Sequence, residues 1–315
     1  MRRIARASLF AALILMLVVG ANVGAGLLVE QAHPPIGRFI ERSGVRLHYV
    51  EGGQGTPVVL LHGNGAMVED MLSSGLMADA SRRYHVFAFD RPGFGHSTRP
   101  GGQDWTPAEQ ARLLREALAG LGIRRAIIVG HSWGALVAAT MALQEPQSVA
   151  GLVLVAGYFY PDPRPDVHMA ELTSGAGVDV AANYTLIPAL SWLLWPQVMD
   201  VVFGPEAVPA KFEGFPRAMA LRPWQLEAAT EEVAMLPDAT ARNAELYGTL
   251  SMPVSIVVGT ADRLIDPAAH SLPLHAQIKG SSLHLVAGGG HMVHQTATST
   301  VMEAIDEVAQ AASTH

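Results

Sequence analysis

The chain has 315 residues, 50% of them apolar and 16% charged, which is enough apolar surface for one large core and rules out a disordered chain. A net charge of −7 argues against a nucleic-acid protein, which needs a basic face to neutralise phosphates. The lack of cysteine excludes disulfides, thiolate metal sites and a cysteine nucleophile, and glycine without a Gly-X-Y period excludes a collagen-like chain.

Arg2, Arg3 and Arg6 precede an uncharged stretch from Ala7 to Val29, within which Leu9 to Val19 carries no polar side chain. This reads as a targeting segment. Two outcomes fit it: a cleaved secretory signal ending near Val23-Gly24-Ala25, or an uncleaved anchor, because Leu9 to Val29 supplies roughly the 20 apolar residues a span needs. In both, the arginines favour a cytoplasmic N-terminus and export of the rest of the chain, anchored and facing the periplasm or exterior, or released if cleaved. Residues 30–38, with Pro34 and Pro35, read as a linker. The division is then 1–35 for the signal or anchor with its linker, and 36–315 for a folded domain starting near Phe39.

From there short β-rich runs alternate with helical patterns. Val45–Val50, Val58–Leu61, Val86–Phe89, Ala126–Val129, Leu152–Val155, Val254–Val258 and Leu283–Val286 read as strands, several of them continuous apolar runs expected of strands covered on both faces. Pro107–Leu121, Ala135–Gln144, Pro267–Gln277 and Val293–Ala311 read as helices. Strand then helix, repeated, implies an α/β fold with a doubly wound, mostly parallel sheet. The rhythm breaks over about 158–247, where proline-separated helical segments imply a helical cap inserted in the domain. Trp192, Trp195 and Trp224 lie in it, and a subset of its aromatic side chains is expected to line an apolar pocket.

The run Ala126–Val129 leads into Gly130-His131-Ser132-Trp133-Gly134 and then the helical Ala135–Ala139. Strand, tight turn and helix are the setting that G-x-S-x-G needs to act as a nucleophile elbow. Serine is a poor nucleophile at neutral pH without a base to take its proton, so a histidine and a group to orient it are required. Asp262 follows the run ending at Val258, and His291 follows Gly288-Gly289-Gly290 after the run ending at Val286. Loops past the carboxyl ends of parallel strands are where catalytic groups collect. Asp162, Asp266 and His294 compete for these roles; Asp266, before Pro267, reads instead as a helix cap, and His294 as the opening of the last helix. His131 and His96 read as structural, His275 and His284 are not spaced as a metal pair, and no H-E-x-x-H occurs, so neither metal nor cofactor is expected.

Four motifs in order, Leu61-His62-Gly63-Asn64-Gly65, Asp90-Arg91-Pro92-Gly93-Phe94-Gly95-His96-Ser97, the elbow at Ser132, and the late Asp262 and His291, resemble those of the α/β-hydrolase fold superfamily, single-domain type with a helical cap. The resemblance implies Ser132 as nucleophile, His291 as general base and then acid, Asp262 as its orienting carboxylate, and an oxyanion hole from the backbone N–H groups of Trp133 and Asn64. It implies that the Asp90–Ser97 turn is structural. The expected activity is hydrolysis of a carboxylic ester with an apolar portion through a Ser132 acyl-enzyme. Carbon–carbon bond hydrolases, lactonases, amidases and cofactor-free haloperoxidases share the fold and triad, and a non-catalytic ligand-binding relative is the rival from another class. Dehalogenases and epoxide hydrolases carry aspartate where this elbow has Ser132. An iminopeptidase needs an acidic cluster for the peptide amine, for which Glu227, Glu231 and Glu232 are the candidates. The expected partner is a small apolar ester-like molecule, with no nucleic acid, and a membrane if the N-terminal segment is retained.

Overall fold

A computed structural model of the chain describes residues 2–173 and 177–314. Eight strands form one sheet: β1 (Arg38–Arg42), β2 (Val45–Gly52), β3 (Pro57–Leu61), β4 (His85–Phe89), β5 (Ala126–His131), β6 (Val149–Val155), β7 (Val254–Gly259) and β8 (Ser282–Val286). Their spatial order is β1-β2-β4-β3-β5-β6-β7-β8. The first two pairings are antiparallel, and every pairing from β4–β3 onward is parallel. β1 is absent from the strand pattern read in the sequence, because Arg38, Glu41 and Arg42 occupy three of its five positions and only Ile40 is buried. It is an edge strand, folded back on β2 through Ser43-Gly44.

Successive residues of the central strands face opposite layers. Val59, Leu61, Ile128, Leu152, Leu154 and Ile256 pack under α4 (Pro107–Gly120) and α5 (Trp133–Gln144). Their neighbours Val58, Leu60, Ile127, Val129, Val153 and Val257 pack under α2 (Val68–Ser73), α3 (Leu76–Ala80) and α14 (Thr298–Ala312). This period-two split makes continuous apolar runs the right pattern for a sheet buried on both faces. Burying each such side chain stabilises the fold by about 1.5–3 kcal/mol.

Between β6 and β7 the chain is helical: α6 (Pro165–Thr173), α7 (Val178–Asn183), α8 (Ile187–Leu193), α9 (Trp195–Phe203), α10 (Arg217–Ala220) and α11 (Pro223–Ala244). Two helices expected after β7 differ from the pattern. α12 spans only Ser271–Gln277. The Asp266 carboxylate accepts from the amide of Ala268 in a turn, while buried His270 accepts from the amide of Phe159 just before the helix starts. The final helical stretch is α13 (Val293–Thr296) and α14, broken at Ala297, whose ψ of 49° leaves the helical region.

The N-terminal segment is one helix, α1 (Arg2–Ala32), so Glu30, Gln31 and Ala32 belong to it rather than to a linker, which begins at His33 before the two prolines. Ser8–Ala32 is long and apolar enough to cross a membrane, a property shared by anchors and signal sequences. Its C-terminal third docks on the cap. The Asn22 side chain donates to the carbonyls of Tyr184 and Thr185, Trp224 lies against Gly26, and Glu30 bonds the buried guanidinium of Arg222 at 3.0 Å.

Candidate active site

Ser132 stands between β5 and α5 with φ 53° and ψ −120°, a strained conformation for a residue with a Cβ. The turn is held by the Ser132 amide donating to Val155 on β6, and by the Ala135 amide donating back to Ser132. Two glycines are demanded by close approach: a Cβ on Gly130 would strike the Gly134 carbonyl, and one on Gly134 would strike the carbonyl of Leu61. The elbow therefore works only with backbone packed on backbone, which is the physical content of the G-x-S-x-G spacing.

His291 and Asp262 meet in space as their strand ends suggest. The His291 Nδ1–H donates to Asp262 Oδ2 at 2.8 Å, which assigns the lone pair to Nε2. Asp262 Oδ1 accepts from the amides of Leu264 and Ile265 at 2.8 and 2.9 Å. Burial on its own raises the Asp262 carboxyl, but His291 and those two amides outweigh it and hold it below the usual carboxylate range. The imidazole loop is braced by the cap: the amides of His291 and Met292 both donate to the carbonyl of Val202 on α9.

Ser132 and His291 line one cavity of about 590 Å³ beneath the cap, together with Asn64 and Trp133 and with apolar walls including Trp195, Phe212, Leu226, Val233 and Ile265. Trp133 is the first residue of α5, so its amide is one of those a helix start leaves without an intrahelical acceptor. The Asn64 side chain is turned away to the cap, donating to Ala229 and to Glu232 on α11. Only the Asn64 backbone can therefore serve an oxyanion.

That turn belongs to a buried network. Glu232, fully buried, receives Arg91 and also Gln110 Nε2 at 2.8 Å. Arg91 donates in addition to the carbonyls of His62 and Gly63, and its amide donates to His62 Nε2. Burial first and Arg91 second push the His62 imidazole down to about 3, so it is neutral and braces the loop. Of the other two acidic residues considered for an amine, Glu231 pairs with Arg99, and Glu227 accepts from the Tyr184 hydroxyl. This trio does not form an acidic cluster facing the cavity.

The remaining candidates separate cleanly. Trp195 lines the cavity, whereas Trp192 is exposed beneath the guanidinium of Arg217 and Trp224 packs on α1 and Arg222; neither is part of the lining. Helical spacing alone leaves open which face of a cap helix turns inward. Asp162 lies 3.7 Å from His270, away from the His291 pair. Asp90 binds His48 and the amides of Val68 and His96, a structural turn outside the lining.

One grouping escapes sequence inspection. Asp70, His131 and His294 lie together behind the elbow with ligand atoms within 4.8 Å, the one such metal-ligand set among the described residues. Two of its ring nitrogens are hydrogen-bonded, His294 Nε2 at 2.9 Å from Asp70 Oδ2 and His131 Nε2 at 3.1 Å from the His291 carbonyl, while the Nδ1 atoms of both histidines are buried without a partner. The first bond ties α2 to α13, just beyond the His291 loop, through residues 224 apart in the chain, and the second ties the elbow to that loop.

Residues 56–298 match the family described as alpha/beta hydrolase fold, and the chain belongs to that family and to its hydrolase enzymes. It is 30% identical to an uncharacterised protein of Mycobacterium tuberculosis over 84% of this chain and 78% of that one. It is 28% identical to a 2-hydroxymuconate semialdehyde hydrolase of Pseudomonas putida over 83% and 89%. The structure superposes on a thermophilic esterase from Thermogutta terrifontis with a TM-score of 0.67 at 21% identity, covering 87% and 99%.

Proposed function

We propose that the protein hydrolyses carboxylic esters carrying an apolar chain through an acyl-enzyme on Ser132. The observation that carries this reading is the His291–Asp262 pair at 2.8 Å, sharing with Ser132 an apolar cavity of about 590 Å³. Ser132 Oγ attacks the ester carbonyl as His291 Nε2 takes its proton. The resulting oxyanion is held by the amides of Trp133 and Asn64, and Asp262 stabilises the imidazolium. Collapse expels the alcohol, which takes the proton from His291. Water, deprotonated by His291, then attacks the acyl-serine and releases the acid. Asp70 and Arg164 are the acidic and basic residues of the lining; the walls formed by Trp195, Phe212, Leu226, Val233 and Ile265 are apolar, so they favour an acyl or alkyl chain over a charged one.

A panel of p-nitrophenyl esters of rising chain length, run beside lactones, amides and vinylogous diketones, tests the reading. Ester turnover that rises with chain length and vanishes in Ser132→Ala supports it. Turnover of a diketone alone, or ester turnover that survives Ser132→Ala, overturns it.

A further inference from the structure

α1 is joined to the cap, and the join settles how the cap lies if α1 crosses a bilayer. Asn22 is the first described residue of α1 that hydrogen-bonds to the cap, at the carbonyls of Tyr184 and Thr185. The free part of the apolar stretch, Ser8 to Ala21, extends about 21 Å at about 1.5 Å per residue. A hydrocarbon core is about 30 Å thick. The free part is too short to span it, so immersion must continue to about Leu28. Leu27 and Leu28 are themselves 52% and 67% exposed, with their side chains free to meet lipid. Any tilt of α1 draws still more of it into the bilayer. The cap segment bonded to Asn22 must then lie at or within the membrane interface.

The surface at that place is apolar. From Ala181 to Met199 the chain has no charged residue. On and beside α8, Leu186, Leu190, Trp192 and Leu193 are exposed, Leu186 and Leu193 by more than two thirds. Arg217 covers the Trp192 ring at 3.8 Å, a cation beside an apolar ring as at lipid headgroups. Just beyond, Leu194 and Val198 are 40% and 45% exposed and line the cavity of Ser132.

We propose that the α8 face of the cap is seated in the interface of the bilayer that α1 crosses, and that the cavity takes acyl esters dissolved in that bilayer. The second half rests on the ester reading; the first does not. Interfacial helices sink by about 5–10 Å, which matches the depth at which the length of α1 places α8. The Glu30–Arg222 bond and the two Asn22 bonds hold the cap to α1 and fix this depth.

The test uses the full chain in phosphatidylcholine vesicles with brominated acyl chains. Quenching of tryptophan fluorescence that Trp192→Phe lowers is expected, in the active protein and in Ser132→Ala alike, with Trp224 against Gly26 supplying the remainder. Leu186→Glu with Leu193→Glu is expected to cut turnover of a long-chain ester held in the vesicles by about tenfold or more, and to leave a water-soluble short ester within about twofold. Unquenched Trp192, equal loss on both substrates, removal of α1 by processing, or a dimer that shields Trp192 from lipid would each overturn the proposal. Absence of ester turnover with quenching intact would sink the ester reading and leave the docking standing.

Discussion

Glu232 on cap helix α11 accepts a hydrogen bond from the side chain of Asn64, 3.0 Å away, on the loop whose backbone faces the cavity. The same carboxylate holds Arg91, which in turn grips the carbonyls of His62 and Gly63. The cap and the Asn64 loop are therefore one hydrogen-bonded unit. Glu232→Gln strands the Arg91 charge, and breaking a buried pair costs about 3–5 kcal/mol. The expected result is a marked fall in denaturation midpoint, with kcat reduced more than KM is raised. In a double-mutant cycle, Arg91→Met with Glu232→Leu should lose less stability than the two single changes added together. Strict additivity would show the two residues to be uncoupled.

Asp262→Asn should keep the fold, since an amide can still accept from Leu264 and Ile265, but it invites the wrong His291 tautomer. A fall in kcat of about 10³–10⁴ is predicted, read in steady-state ester hydrolysis. Asp266→Asn and Asp162→Asn should remain near the parent rate. Activity that followed Asp162 instead would move the orienting role there.

Strain at Ser132 makes a stability prediction independent of turnover. With φ at 53° and ψ at −120°, glycine fits this position better than alanine. Ser132→Gly should therefore be more stable than Ser132→Ala by about 1 kcal/mol or more in urea denaturation. Gly134→Ala should be among the most damaging single-methyl additions, because its Cβ meets the Leu61 carbonyl.

Acidification should destabilise the protein in two stages. His62, His131, His96 and His270 are held below the ordinary imidazole value, chiefly by burial. Each stays neutral in the folded chain while its unfolded counterpart protonates below about 6.5, so the unfolded state binds more protons and stability falls as pH drops through that value. Asp70, Asp90 and Asp262 are held below the usual carboxylate range and add a second loss as pH falls below about 4. Thermal melts from pH 8 to pH 2 check this. A midpoint unchanged between pH 7 and pH 5 would contradict it.

The parts of the fold that are readable in the sequence are those with a local signature. The elbow announces itself because strand, glycines, serine and helix are contiguous, Asp262 because it follows the buried strand β7, and His291 because it follows the glycine loop after the half-exposed edge strand β8. Edge strand β1 is hidden by its charges, and the break at Ala297 by an apolar period that continues across it. Glu232 and the Asp70–His294 buttress have no local signature at all: their partners lie 168 and 224 residues away, and only packing of the cap and the loops creates them. The tryptophans show the same limit, since Trp192, Trp195 and Trp224 sit in similar sequence surroundings yet lie on the exposed surface, in the cavity lining and against α1 respectively.

The central claim is that Ser132 is an activated nucleophile in the folded protein. Incubation with a fluorophosphonate, with intact mass measurement and peptide mapping afterwards, addresses it directly. A single adduct on Ser132, lost in Ser132→Ala and on unfolding and strongly slowed in Asp262→Asn, is the predicted result. No adduct on the folded protein, or an adduct on another residue that persists in Ser132→Ala, would contradict it.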